Sequence, residues 1–191
     1  PMTVFETELP GVRLFEVDVH EDDRGSFAEL WNVRDYGQHG FEATFVQDNL
    51  SRSREGVLRG LHFQNPRPQA KLISVLKGAV YDVVVDVRAG SDTFGEWHST
   101  VLSAENARQL YVPEGYAHGF VATRGEALFH YKCTDFYHPE ADHTVHWDDP
   151  RLDIDWPVDD PILSEKDAGA PTLDDMPRRA LQFDDPRSVQ S

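Results

Sequence analysis

The chain has 191 residues with a formal net charge of −16, enough length for one domain with a real hydrophobic core and too acidic overall for non-specific DNA or RNA binding. No apolar run is long enough to span a bilayer. The opening PMTVFETELPG lacks the basic and apolar regions of a signal peptide, and the single cysteine, Cys133, excludes an intrachain disulfide framework, so the expectation is a cytoplasmic protein without membrane or nucleic-acid partners.

Short β-like runs follow one another along the chain: VRLFEV from Val12, SFAELW from Ser26, TFVQDNL from Thr44 and RGLHFQ from Arg59. Residues 72–87, LISVLKGAVYDVVVDV, read as two runs around Lys77-Gly78, a hairpin signal. The stiff β-branched Val83, Val84 and Val85 favour strand over helix. HSTVL, RQLYV, HGFVA and ALFHYKCT complete the series. Turn residues separate these runs at Asp23-Arg24-Gly25, Asn65-Pro66, Ala89-Gly90, Pro113-Glu114-Gly115 and Arg124-Gly125. Many short strands at this spacing predict an all-β sandwich or barrel. Helical periodicity is weak: Val33–His39 is a candidate short helix, and Asp167 onward is ambiguous. Prolines punctuate the region beyond residue 136, which is expected to wrap the β core (about residues 12–135) as part of a single domain 1–191. Its last few residues are expected to be mobile.

Charge is distributed unevenly. Residues 135–185 hold fifteen Asp and Glu against four Lys and Arg, the composition of a solvated surface or of adaptation to salt. Residues 52–71 run the other way, with Arg52, Arg54, Arg59, Arg67 and Lys71 against Glu55. A cationic cluster in an acidic protein suggests a site for an anionic ligand. His62 sits within it, the side-chain type best suited to proton transfer near neutral pH. His62 and His118 each lie beside glycine in a short β motif, RGLHFQ and PEGYAHGF, where glycine permits close approach of a ligand or strand. His20, His39, His98, His138, His143 and His146 give no usable local signal.

Spacing constrains how these groups meet. Gln47 and Asn49 are two apart and share a strand face. Arg59 and His62 are three apart and face opposite sides of an ideal strand, so a shared pocket requires a bend or bulge, which Gly60 can supply. Asp82 and Asp86 share a face, either orienting a charged neighbour or solvated at a strand edge. Tyr131 alternates with Phe129 and Cys133, as a core aromatic or as a proton donor facing His62. Lys71 is a surface cation or a stabiliser of developing oxyanion charge.

PEGYAHGF is also similar to the second short motif of the cupin barrels, whose histidine is a metal ligand in metal-binding members. The first cupin motif needs two histidines one residue apart. Here that place reads His62-Phe63-Gln64 with Lys71 downstream, and a protonated lysine offers no lone pair and repels a cation. The chain therefore resembles a cupin without its metal site.

Taken together, DDRGSFAELW, FVQDNLSRS, GVLRGLHFQ, QAKLISVLKGAVYDVVVDVRAGSDTFGEW, QLYVPEGYAHGF, HYKCTDFYHP, WDDPRLDIDWP and ILSEKD resemble the dTDP-4-dehydrorhamnose 3,5-epimerases. The resemblance covers most of the chain and rests on the order and spacing of these segments. It implies an all-β cupin jelly-roll barrel with short peripheral helices and a C-terminal wrapping segment. It also implies a homodimer, using no metal or other cofactor, that acts on a dTDP-4-keto-6-deoxyhexose. By motif position His62 is implied as the general base, Tyr131 as the acid on the opposite sugar face, Asp167 as the partner of His62, and Lys71 as the cation near the C4 oxygen. Arg59 and His118 are implied near the substrate, and Arg24, Glu29, Gln47, Asp48 and Asn49 as nucleotide and sugar contacts, some across the dimer. Lys166 and Asp142 are further binding candidates, Asp142 standing where the family pattern has glutamate. The alternatives are an epimerase acting at C3 only or C5 only, a metal-dependent cupin enzyme, and a non-catalytic sugar-nucleotide binding protein.

Overall fold

A computed structural model describes residues 2–184; the end expected to be mobile lies outside them. In chain order the elements are β1 (Thr3–Glu6), β2 (Arg13–Glu16), β3 (Val19–Asp22), β4 (Gly25–Ala28), α1 (Val33–Gln38), β5 (Gln47–Ser53), β6 (Leu58–Gln64), β7 (Lys71–Asp86), β8 (Trp97–Ser103), β9 (Arg108–Val112), β10 (Tyr116–Cys133), β11 (Asp142–Thr144) and α2 (Glu165–Ala168). The all-β class holds. Among the described residues no helix is long and apolar enough to cross a membrane.

Two long strands organise the molecule. β7 and β10 run antiparallel over nearly their whole lengths, with register shifts between Ala122 and Phe129. The predicted hairpin at Lys77-Gly78 does not form. Gly78, at φ +74°, bends β7 without ending it, because a positive-φ glycine serves a strand bulge as readily as a tight turn. An added Cβ there would lie 2.5 Å from the Glu126 carbonyl oxygen. Arg124-Gly125 likewise lies inside β10 rather than in a turn. Each long strand therefore serves two half-sheets. One half has the order β1-β2-β9-β7-β10-β5 and the other β8-β7-β10-β6-β11. The hydrogen-bonded path stays open rather than closing into a barrel. Side chains join the halves instead: Phe120 and Phe129, from opposite arms of β10, stack at 4.0 Å between ring centroids.

The core between the halves includes Ile73, Val75, Val80, Val84, Leu102 and Leu110. Full burial of a side chain such as Phe129 contributes about 1.5–3 kcal/mol. Val83 and Val85 point the other way, under Leu152, Trp156, Leu173, Met176 and Leu181 of the C-terminal segment. Burial on both faces explains the unbroken valine run, which alternation alone would not produce. α1 and Trp31 cover the outer face of the other half through Phe15, Tyr36 and Phe41. Among the described residues β3 and β4 stand apart as a two-stranded sheet, pairing only with each other.

Candidate active site

The bulge expected between Arg59 and His62 forms at Gly60, but it brings only His62 to the cavity. Along β6 the partners of Phe120 and His118 are Arg59 and His62, so Gly119 alone on β10 opposes both Gly60 and Leu61 on β6. Gly60 takes φ +136°, and a Cβ would stand 2.5 Å from the Gly119 Cα; only glycine fits this crossing of backbones. The shift turns His62 inward, opposite His118.

His62 lines a cavity of about 330 Å³ together with Gln47, Asn49, Phe63, Gln64, Gln69, Lys71, Tyr131, Tyr137 and Asp142. Its Nε2 lies 2.7 Å from Asp167 Oδ1. Asp167 sits on α2, where the Ser164 hydroxyl caps the helix by accepting its backbone N–H at 3.1 Å. Its Oδ2 accepts the Gly60 N–H at 3.2 Å. Burial works to raise the Asp167 pKa, but the hydrogen bond and charge of His62, with the Gly60 N–H, bring it below the usual aspartate value. The pair is therefore a carboxylate holding an imidazole.

Tyr131 enters from β10, with Asn49 of β5 as its direct cross-strand partner. Burial raises its phenol above the ordinary tyrosine value, so it carries a proton at neutral pH. Lys71 Nζ lies 5.5 Å from the centre of the Tyr131 ring. Burial pulls the Lys71 pKa down, with the charges of Cys133, Asp142 and Asp82 working against the shift. At the rim, Asp142 is ion-paired with Lys166 and lies 3.4 Å from the Tyr137 hydroxyl.

His118 is buried beside the cavity rather than on its wall, stacked on Phe129 at 5.7 Å, with Nε2 2.7 Å from Asp82 Oδ2. Asp82 and Asp86 are both fully buried, which removes the strand-edge reading. Asp82 holds His118, while Asp86 accepts from Arg88, Ser91 and Thr93. Each of the two glycine-flanked histidines thus presents Nε2 to its own aspartate. Among the described residues no three His, Cys, Asp or Glu side chains are grouped to hold a metal ion.

Other implied residues are not brought into this cavity. Asp48 faces the opposite side of β5 and pairs with Lys132 at 2.9 Å, as strand alternation requires once Gln47 and Asn49 face inward. Arg24 is 90% exposed at the β3–β4 turn, paired with Asp22. Glu29 lines a separate cavity with Met2, Phe27 and His39. Arg59 stands outside the wall, donating to Ser53 Oγ at 3.0 Å, though its charge reaches Tyr131. The cationic cluster is also dispersed. Arg67 is taken by Asp135 at 2.8 Å and Arg52 approaches Glu126 at 3.8 Å, leaving Lys71 alone on the wall. Sequence reasoning missed Gln64, Gln69 and Tyr137. The amide of Gln64 joins two loops by donating to the Arg67 and Phe136 carbonyls, a role with no local pattern.

An imidazole held by a carboxylate, a protonated phenol and a half-buried lysine around one cavity suit proton removal beside a carbonyl and return of a proton from another direction. Comparison with known proteins agrees. The family model described as dTDP-4-dehydrorhamnose 3,5-epimerase matches residues 6–175. The chain is 50% identical over 175 residues to the dTDP-4-dehydrorhamnose 3,5-epimerase of Methanothermobacter thermautotrophicus, covering 90% of this chain and 95% of that one. A dTDP-6-deoxy-D-glucose-3,5-epimerase from Legionella pneumophila, solved with dTDP-4-keto-L-rhamnose, superposes with a TM-score of 0.93 at 45% identity over 97% of this chain and all of that one. A 3'-monoepimerase from Streptomyces bikiniensis, solved with dTDP-quinovose, superposes with a TM-score of 0.86 at 36% identity, covering 92% of this chain and 90% of that one. By sequence match across nearly its whole length, the chain belongs to the dTDP-4-dehydrorhamnose 3,5-epimerase family.

Proposed function

We propose that the chain inverts C3 and C5 of dTDP-4-keto-6-deoxyglucose, giving dTDP-4-keto-L-rhamnose without a cofactor. The observation that carries this reading is His62, held by Asp167 at 2.7 Å, on the same cavity as Tyr131 and Lys71. The C4 ketone acidifies the hydrogens on both neighbouring carbons. His62 removes one, leaving an enolate with its charge largely on O4, and the Asp167 carboxylate steadies the imidazolium formed. Lys71 and nearby donors receive the O4 charge, an arrangement that lowers barriers by several kcal/mol. Tyr131 returns a proton to the opposite face and the carbon is inverted. His118, the buried cross-strand partner of His62, backs the inner wall from behind. Lys166, Asp142, Gln47 and Asn49 contact the substrate, and Arg59 meets the diphosphate, for which its planar fork is suited.

The enzyme works in the cytoplasm as a homodimer. The β3–β4 hairpin supports this: it pairs with no other strand and leaves Phe27 70% exposed. Across a dimer it would carry Arg24, with Glu29 just beyond it, toward a neighbouring site, and Asp48 on β5 would face the same partner. Inversion at one carbon only is the second reading, favoured by the likeness to a 3'-monoepimerase, though at lower identity than to the 3,5-epimerases.

The test is NMR of the chelator-treated protein with dTDP-4-keto-6-deoxyglucose in deuterated water, with the product trapped by a reductase. Deuterium at C3 and C5 with both centres inverted is the expected result. Inversion at one carbon moves the assignment to a mono-epimerase, and intact binding without exchange overturns the reading. Light scattering gives the mass, for which a monomer refutes the dimer.

A further inference from the structure

The amides of Gln47 and Asn49, beside Tyr131, are oriented by a single backbone group. The Tyr137 N–H is a fixed donor, and it meets Gln47 Oε1 at 3.1 Å. Gln47 must therefore turn its Nε2 the other way, where it donates to Asn49 Oδ1 at 3.2 Å. That fixes the Asn49 amide in turn, so its two N–H groups face the interior. One approaches the buried Cys133 sulfur at 3.7 Å. The second remains, and the direct cross-strand neighbour of Asn49 is Tyr131, as that of Gln47 is Cys133. Cross-strand partners hold their Cβ atoms about 4.5–5.5 Å apart, which sets the two side chains next to each other on one face of the sheet.

We propose that Asn49 is a positioning residue for the Tyr131 acid: its second N–H, aimed by the Tyr137–Gln47 relay, receives the phenolate oxygen left when Tyr131 gives up its proton. In that step the Tyr131 O–H bond breaks, a C–H bond forms on the sugar, and the negative charge comes to rest on the phenolate. This role adds to the sugar-nucleotide contact proposed for Asn49 and rests on Tyr131 being the acid. The influence of Asn49 on Tyr131 is that of a hydrogen bond favouring the ionised form, against the larger opposing effect of burial. Asn49 has no proton to release near neutral pH, so it steadies the phenolate and solvent or a neighbour must recharge it.

The test uses the ligand-free full chain with difluorotyrosine, an intrinsically more acidic phenol, placed at position 131 and titrated by ¹⁹F NMR. Asn49→Leu removes the donor. Gln47→Glu keeps Asn49 but presents acceptors to it, so the amide must rotate and turn Oδ1 toward Tyr131. Both variants are expected to raise the phenol pKa by about one unit or more. Circular dichroism confirms folding, and a misfolded Asn49→Leu leaves Gln47→Glu, and Asn49→Ser beside it, to decide. In deuterated water with substrate, inversion should fall by up to about tenfold while deuterium wash-in through His62 is largely retained. An unmoved phenol pKa in the folded variants, with only dTDP affinity reduced, overturns the proposal and leaves Asn49 as a plain binding contact. Because the titration is read without substrate, its outcome is separate from that of the wild-type epimerase assay.

Discussion

Asp167→Asn isolates what the carboxylate does for the base. The side chain is 5% exposed and accepts two hydrogen bonds, from His62 at 2.7 Å and from the Gly60 N–H at 3.2 Å. Asparagine keeps the shape but offers one oxygen and one NH₂. With the oxygen toward His62, the NH₂ meets the Gly60 N–H, donor against donor; with the amide reversed, His62 loses its acceptor. The larger loss is charge, because a neutral amide cannot balance the imidazolium formed when the sugar proton arrives. Hydrogen bonds to charged groups are worth roughly 1.5–3 kcal/mol, and His62 is 32% exposed, so solvent moderates the ion-pair attraction. Taking about 2–3 kcal/mol at 1.36 kcal/mol per decade, kcat should fall roughly 30- to 150-fold. Asp167 does not line the cavity, so dTDP affinity should stay within about twofold of the parent. Single-turnover NMR at saturating substrate and calorimetry with dTDP read the two quantities. A kcat within about threefold of the parent, in a folded variant, would refute the role assigned to Asp167.

Tyr131→Phe should leave deuterium wash-in through His62 while inversion falls by about 10²–10⁴-fold, and His62→Ala should abolish both in a protein that still melts cooperatively; near-normal product from His62→Ala would remove the base assignment. Gly78→Ala forces a side chain into φ +74° and 2.5 Å from the Glu126 carbonyl oxygen. At about 2 kcal/mol for strain and contact, the melting temperature should drop by roughly 4–8 °C, and an unchanged value would refute the bend. Arg67 holds the Asp135 carboxyl down to about 2. A depressed folded-state pKa stabilises above the unfolded aspartate value near 4 and is lost as pH falls toward about 2. Urea melts of Asp135→Asn and the parent should therefore differ at pH 6, by little because solvent screens the pair, and the gap should narrow toward pH 3; a constant gap counts against the linkage.

The strands that build the core were legible as apolar runs, while two short ones were not. β3 is exposed at all four positions, and β11 has three residues, so neither shows a hydrophobic period. Gly78 was legible as a break but not as a bend, since the same glycine serves both and the choice depends on whether the flanking strands pair with each other. They pair instead with β9 and β8. Gly60 was legible as a bulge because a glycine stood between two candidate site residues of opposite parity, although Arg59 stays outside the cavity that His62 lines. The cationic run misled, since Asp135, far along the chain, claims Arg67. Asp82 and Asp86 resembled solvated edge residues because His118, Ser91 and Thr93, which make their burial tolerable, follow no local spacing. Tyr137 reaches the cavity from an irregular segment with no pattern to announce it.

His62 and Asp167 stand 105 positions apart, while Lys71 and Tyr131 meet through the β7–β10 pairing. The residues lining the cavity run from Gln47 to Asp142, while Asp167 comes from the short helix α2. A local opening at α2 would therefore part the proposed base from its carboxylate while the cavity wall stays formed.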